Sequence, residues 1–165
     1  MSPRRTLLIV YHTLTGGSRQ MAEAAARGAD EHEVEVRLVR ARDADAEDVL
    51  SADGYIFVAP ENLAAIAGVM KDFFDRTYYP VLDRIAGRPY ATLVCAGSDG
   101  ANAVRQIARI CTGWRLRAVS DALIVCTHAQ TPETILAPKI IGENDLARCT
   151  EIGAAIAAGL ELGIF

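Results

Sequence analysis

Leu7-Leu8-Ile9-Val10-Tyr11-His12-Thr13-Leu14-Thr15-Gly16-Gly17-Ser18-Arg19-Gln20-Met21-Ala22 decides how this chain folds. Its first five residues are apolar without interruption. That is the pattern of a strand buried on both faces, as in a parallel sheet covered by helices. The polar, glycine-rich turn from His12 to Ser18 then leads into a helix over residues 19–30. Met21, Ala22, Ala25, Ala26 and Ala29 give that helix its apolar stripe, and Glu23 and Arg27 pair at i,i+4 on its other face.

The same alternation continues along the chain. Val34, Val36 and Leu38 alternate with charged residues, a strand with one poorer face near an edge. Residues 43–50 read as a loop with a turn or two of helix. Residues 55–59 form a third strand, stopped by Pro60, and residues 63–79 a helix ended by Pro80. A fourth strand spans 90–95, a helix follows the sharp turn Gly97-Ser98-Asp99-Gly100, and a fifth strand lies within 116–126. A looser stretch with Pro132 and Pro138 precedes a final helix over 145–162. Strand–helix alternation predicts an α/β domain spanning residues 1–165. Right-handed crossovers then give a five-stranded parallel sheet in the doubly wound order 2-1-3-4-5, with a ligand crevice beyond the strand C-termini.

Composition sets limits on function. The chain has 165 residues, 51% hydrophobic and 23% charged, and a formal net charge of −4. No basic face for nucleic acid and no polybasic membrane patch is expected. No apolar run approaches the ~20 residues of a membrane span, and Leu7 to Tyr11 is too short for a signal-peptide core, so the chain reads as cytoplasmic. Cys95, Cys111, Cys126 and Cys149 are scattered without a C-x-x-C pair, which leaves zinc and dithiol chemistry unsupported.

The crevice would be lined by the loops after strands one, three and four. In the first, backbone N–H groups at a helix N-terminus form a ready anion site. Gly16 and Gly17 let the backbone close on a phosphate, and Thr13, Thr15 and Ser18 can donate without adding charge. A phosphate ester held by neutral donors suits the loop; so does an ordinary capped βα turn. A P-loop is excluded because no Lys follows the glycines. A dinucleotide fingerprint is excluded because the glycines are adjacent and arginines, Arg40 or Arg42, end the second strand. A phospho-receiver site would need acidic residues where Tyr11 and His12 stand.

The stretch from Thr13 to Ala22 resembles the flavodoxin-type FMN phosphate loop. Asp53 to Pro60, followed by Lys71-Asp72-Phe73-Phe74-Asp75-Arg76-Thr77, resembles the NAD(P)H-dependent FMN and quinone reductases of the flavodoxin-like superfamily. The resemblance implies a three-layer flavodoxin-like fold with FMN as cofactor and NAD(P)H as transient donor. It assigns Thr13, Leu14, Thr15, Gly16, Gly17 and Ser18 to the FMN phosphate. It assigns Pro60, Glu61, Asn62 and Leu63 to the isoalloxazine, and Ala96, Gly97, Ser98 and Gly100 to its pyrimidine side. Glu61 departs from the family pattern, which has an aromatic or glycine-rich segment after the proline; its carboxylate is expected near the ring, where it would disfavour anionic reduced flavin.

Electron carriers of this fold hold the flavin between aromatic rings and carry a strongly acidic docking face. Loops two and three here contain no Tyr, Trp or Phe. That favours an enzyme with an open flavin face, passing electrons to a small acceptor such as a quinone. A flavodoxin-type carrier and a non-catalytic FMN-binding docking module are the alternatives. Tyr78, Tyr79 or Trp114 could still supply a lid. No protein nucleophile or acid–base triad is expected, and no metal. His12 reads as a polar turn residue before a proton relay. Phe73, Phe74, Tyr78 and Tyr79 exceed what one helix buries against its own sheet, which predicts a homodimer or a dimer of dimers.

Overall fold

The computed structural model describes residues 3–165. Its sheet is built on β1 (Arg5–Tyr11), with β2 (Val34–Arg40) on one side and β3 (Gly54–Asn62) on the other. Beyond β3 comes β5 (Pro89–Ala96), and then two short strands, β6 (Arg117–Ala118) and β7 (Leu123–Cys126), both paired to β5. All these pairings are parallel. The expected 2-1-3-4-5 order is present, its fifth strand divided in two. Between the Tyr90–Ala118 and Leu93–Leu123 pairs β5 advances three residues and the fifth strand five, so two residues loop out at exposed Ser120-Asp121-Ala122. Such a bulge is common on an edge strand, and it spoils the edge as a template for another chain.

Continuous apolar strands serve both faces. Leu7 and Ile9 pack with Met21 of α1 (Gly17–Ala29) and Ile156 of α6 (Glu143–Glu161). Leu8 and Val10 face the opposite way, with Met70 and Phe74 of α3 (Gly68–Val81) and Ile107 of α4 (Ala101–Gly113). Each such buried aliphatic side chain contributes about 1.5–3 kcal/mol of transfer free energy. The short α2 (Ala46–Ser51) and α5 (Pro132–Leu136) complete the elements.

Three boundaries differ from the sequence reading, each for a local reason. Pro60 does not stop β3. The Val58 carbonyl accepts from His12 N–H at 3.1 Å, so Pro60, two residues on, faces the same side, where β1 has already ended. There the chain returning from the hairpin lies beside it, and the Pro60 carbonyl accepts from Ala67 N–H at 3.2 Å, a bond that needs no proline N–H. Residues 63–66 are not helical. Leu63 (φ 52°) and Ala64 (φ 61°) turn the chain back, and β4 (Ala65–Ile66) pairs antiparallel with the end of β3. Positive φ at both central residues is the sign pattern of a tight two-residue hairpin, a role usually given to Asn-Gly. Finally, Pro80 sits inside the last turn of α3, where its missing N–H forfeits only a terminal hydrogen bond.

Most of the aromatic surface on α3 is absorbed within the chain itself. Phe73 and Phe74 are fully buried, and Tyr78 stacks on buried Trp114, whose indole N–H donates to the Tyr78 carbonyl at 3.0 Å. Of the four rings behind the expected dimer, only Tyr79 is exposed. No described helix is long and apolar enough to cross a membrane.

Candidate functional site

At the C-terminal edge of the sheet a cleft of about 340 Å³ opens between the loops after β1, β3 and β5. It brings together Thr15, Pro60, Glu61, Asn62, Leu63, Ala96, Gly97 and Ser98 of the residues expected from sequence. Thr13, Leu14, Gly16, Gly17, Ser18 and Gly100 are not on its walls. Tyr78 and Trp114 are not there either, and the lining contains no aromatic ring.

The first loop is arranged around Gly16, which caps α1 in the left-handed conformation (φ 95°, ψ −10°). The Thr13 hydroxyl accepts from Gly16 N–H at 2.9 Å and closes the turn. No side chain caps α1 and no acidic residue stands in its first turn, so its N-terminal field is unopposed. Ser18 lies in that turn. It is 2% exposed, and its hydroxyl has no hydrogen-bond partner. A buried hydroxyl without a partner costs about 1–3 kcal/mol.

The third loop has the same backbone and the opposite filling. Gly100 caps α4 at φ 87° and ψ −13°, but there Glu61 reaches across from β3. Its carboxylate accepts from Gly100 N–H at 2.9 Å and Ala103 N–H at 3.2 Å. This corrects two expectations. The Glu61 charge is taken up by a helix start rather than offered to the ring position. Gly100 has its N–H engaged and its α-carbon against Ile124, where a β-carbon would sit 2.7 Å away. α4 also holds the hairpin tip. Asn102 donates to the Ala64 carbonyl at 2.6 Å, and Gln106 accepts from Ile66 N–H at 2.7 Å. These bonds fix the two strained residues and leave Leu63 fully exposed at the cleft mouth.

One wall was missed in the sequence: residues 127–142, between β7 and α6. Thr127, Ala129, Ile135 and Lys139 line the cleft. Thr127 and His128 N–H groups bond the carbonyls of Ala96 and Gly97, at 2.8 Å each. Lys139 N–H donates to the Thr15 carbonyl at 2.9 Å. Gln20 clamps the far end, donating to the carbonyls of Gly16 (2.9 Å) and Lys139 (2.7 Å) and accepting from Ile141 N–H (3.0 Å). Lys139 is the only cation on the wall; its ammonium caps α5 through the carbonyls of Thr134, Ile135 and Ala137. The available signal was length, since a connection of this size far exceeds the usual two to six residues. On the floor, burial pushes the Cys95 thiol up to about 11, so it stays neutral. No cluster of three or more metal-binding side chains occurs among the described residues.

Comparison with known proteins decides the family. The model of the NADPH-dependent FMN reductase family matches residues 44–130, just over half of the chain. The chain belongs to that family. A flavodoxin of Aquifex aeolicus is 40% identical over 94 residues, which cover 56% of this chain and 49% of that one. An NAD(P)H dehydrogenase (quinone) of Acidithiobacillus ferrooxidans is 34% identical over 92 residues, covering 43% and 46%. The chain thus spans about half the length of the curated relatives it matches. Among solved structures, an archaeal flavodoxin superposes with a TM-score of 0.78 at 20% identity, over 94% of this chain and 98% of its own; the fold is flavodoxin-like.

FMN, implied by the family, is compatible with these residues. The orphaned Ser18 hydroxyl and the uncapped start of α1 ask for an anion, and the adjoining cleft has a mixed polar and apolar, ring-free lining.

Proposed function

We propose that this chain is an FMN-dependent oxidoreductase that takes electrons from NAD(P)H and passes them to a small flat acceptor such as a quinone. The observation that carries the reading is the cleft itself, bordered by an unfilled phosphate-type helix start and free of aromatic rings. FMN would supply the redox chemistry, accepting a hydride equivalent from the donor and releasing electrons to the acceptor. Ser18, Thr15 and the backbone N–H groups of the first turn of α1 would hold its phosphate. Pro60 to Leu63 and Ala96 to Ser98 would flank the ring, with the Glu61 charge turned into α4. Lys139 would add positive charge from the 127–142 segment. No side chain of the cleft is placed as a nucleophile, and His12 lies outside it.

The test is anaerobic mixing of the FMN-loaded protein with NADH and NADPH, followed at the flavin absorbance band. The expected result is rapid bleaching, reversed by a quinone. Bleaching only through a separate reductase protein would make the chain a carrier, the reading its flavodoxin relative favours. Failure to bind FMN at all would leave a docking module.

A further inference from the structure

A second hollow, of about 180 Å³, lies on the other side of the first loop. Tyr11, His12 and Thr13 form one wall, and Arg40 and Arg42, from the end of β2, form the other. None of its lining residues is acidic. Arg40 lies over the Tyr11 ring at 5.9 Å and, among the described residues, pairs with no carboxylate. Arg42 meets only its neighbour Asp43, at 3.9 Å and in solvent. Asp72, on the adjacent α3, is committed to Arg76 at 2.8 Å. The Thr13 hydroxyl uses its oxygen for Gly16 N–H and keeps its proton to donate. Burial first, and then both guanidinium groups, hold the His12 imidazole below its ordinary value. In a chain of net charge −4, this is a hollow with two arginines and no acidic residue in its lining, its one nearby carboxylate, Asp43, lying out in solvent.

Guanidinium groups bind phosphate oxygens in pairs, and a neighbouring hydroxyl completes such a site. The hollow shares the first loop with the cleft, with His12 and Thr13 on one side and Thr15 on the other. A ligand reaching across that loop can occupy both. We propose that the hollow is a phosphomonoester subsite that receives the 2′-phosphate of NADPH and so selects it over NADH. The proposal rests on the reading above in taking NAD(P)H as the donor, but the subsite can be tested without electron transfer.

The probes are 2′,5′-ADP and 5′-ADP, titrated calorimetrically into the FMN-loaded protein. They share the adenosine and differ in where the second phosphate lies. At least about tenfold tighter binding of 2′,5′-ADP is expected, as two charge-assisted contacts would give. The preference should vanish in the double variant Arg40→Ala/Arg42→Ala, and partly return with lysine at both positions. Binding of 2′,5′-ADP should also raise the His12 titration midpoint followed by NMR. In steady state, the double alanine variant should raise the KM for NADPH relative to that for NADH by about tenfold or more. Equal binding of the two probes by the unaltered protein overturns the subsite, as does equal weakening of both by the double variant. If neither nucleotide reduces the flavin while the probe preference stands, the donor reading fails and the subsite survives.

Discussion

Helices α1 and α4 begin in the same way and are completed differently. Each follows a buried parallel strand, and each is entered through a glycine in the left-handed conformation, Gly16 at φ 95° and Gly100 at φ 87°. Each start therefore presents free N–H groups and a positive field at the same edge of the sheet. At α4 the fold fills that field itself, with the Glu61 carboxylate on Gly100 and Ala103. At α1 it leaves the first turn without a capping side chain and buries a hydroxyl with no partner. A finished helix start does not need a ligand; the unfinished one leaves a buried hydroxyl whose cost an anion would relieve. The contrast sets a helix start filled by the chain itself beside one left open within one molecule.

The comparison is most severely tested at Gly16. Gly16→Val places a β-branched residue in the left-handed region, at about 1–2 kcal/mol or more, and disturbs the N–H groups around it. Nothing but the Gln20 and Arg19 side-chain ends lies near the added carbon, so backbone strain rather than collision is the cause. FMN affinity should fall about 100-fold, measured by quenching of flavin fluorescence; an unchanged affinity would remove the loop from the site. Ser18→Ala should act more selectively. It removes a hydroxyl that would bond a charged group, worth about 1.5–3 kcal/mol on binding. Yet the FMN-free protein should melt no lower, because the lost group had no partner there. Equal destabilisation of the loaded and free forms would show that Ser18 is merely structural. The smallest effect is expected from Glu61→Gln, which keeps an acceptor at the α4 start and loses the charge. Thermal stability should fall by about 0.5–1 kcal/mol, in the free and loaded protein alike. A loss confined to the loaded protein would return Glu61 to the flavin.

The contrast also marks where the sequence could be read and where it could not. Uninterrupted apolar runs such as Leu7 to Tyr11 specify doubly buried strands, and the 2-1-3-4-5 order follows from crossover handedness. The turn into α1 was legible because glycines and hydroxyls before a helix mark a tight strand-to-helix turn, which Gly16 and Thr13 form. Glu61 was not, because its partners Gly100 and Ala103 are some forty residues away and meet it only once the sheet is assembled. The hairpin at Leu63-Ala64 was hidden by turn chemistry that the residues themselves do not advertise; α4, through Asn102 and Gln106, imposes it. The helical spacing of Phe73 and Phe74 was correctly apolar, but it does not say whether the ring packs on the chain's own sheet or on a neighbour. Lys139 belongs to a segment without periodicity, and its place is fixed by Gln20, 119 residues earlier.

That clamp has a consequence for how the molecule responds to its ligand. Gln20 joins the first turn of α1 to Lys139 and Ile141, and Ile141 runs directly into α6. Farther along, α1 and α6 cross so closely that Gly28 lies against the Thr150 carbonyl and Gly153 against that of Ala25. Whatever settles on loop one therefore stabilises the C-terminal helix by mass action, and loosening of that helix weakens the hold on the ligand by the same factor. The last fifth of the chain, residues 131–165, which the family match does not reach, would thus share in the free energy of any binding at loop one.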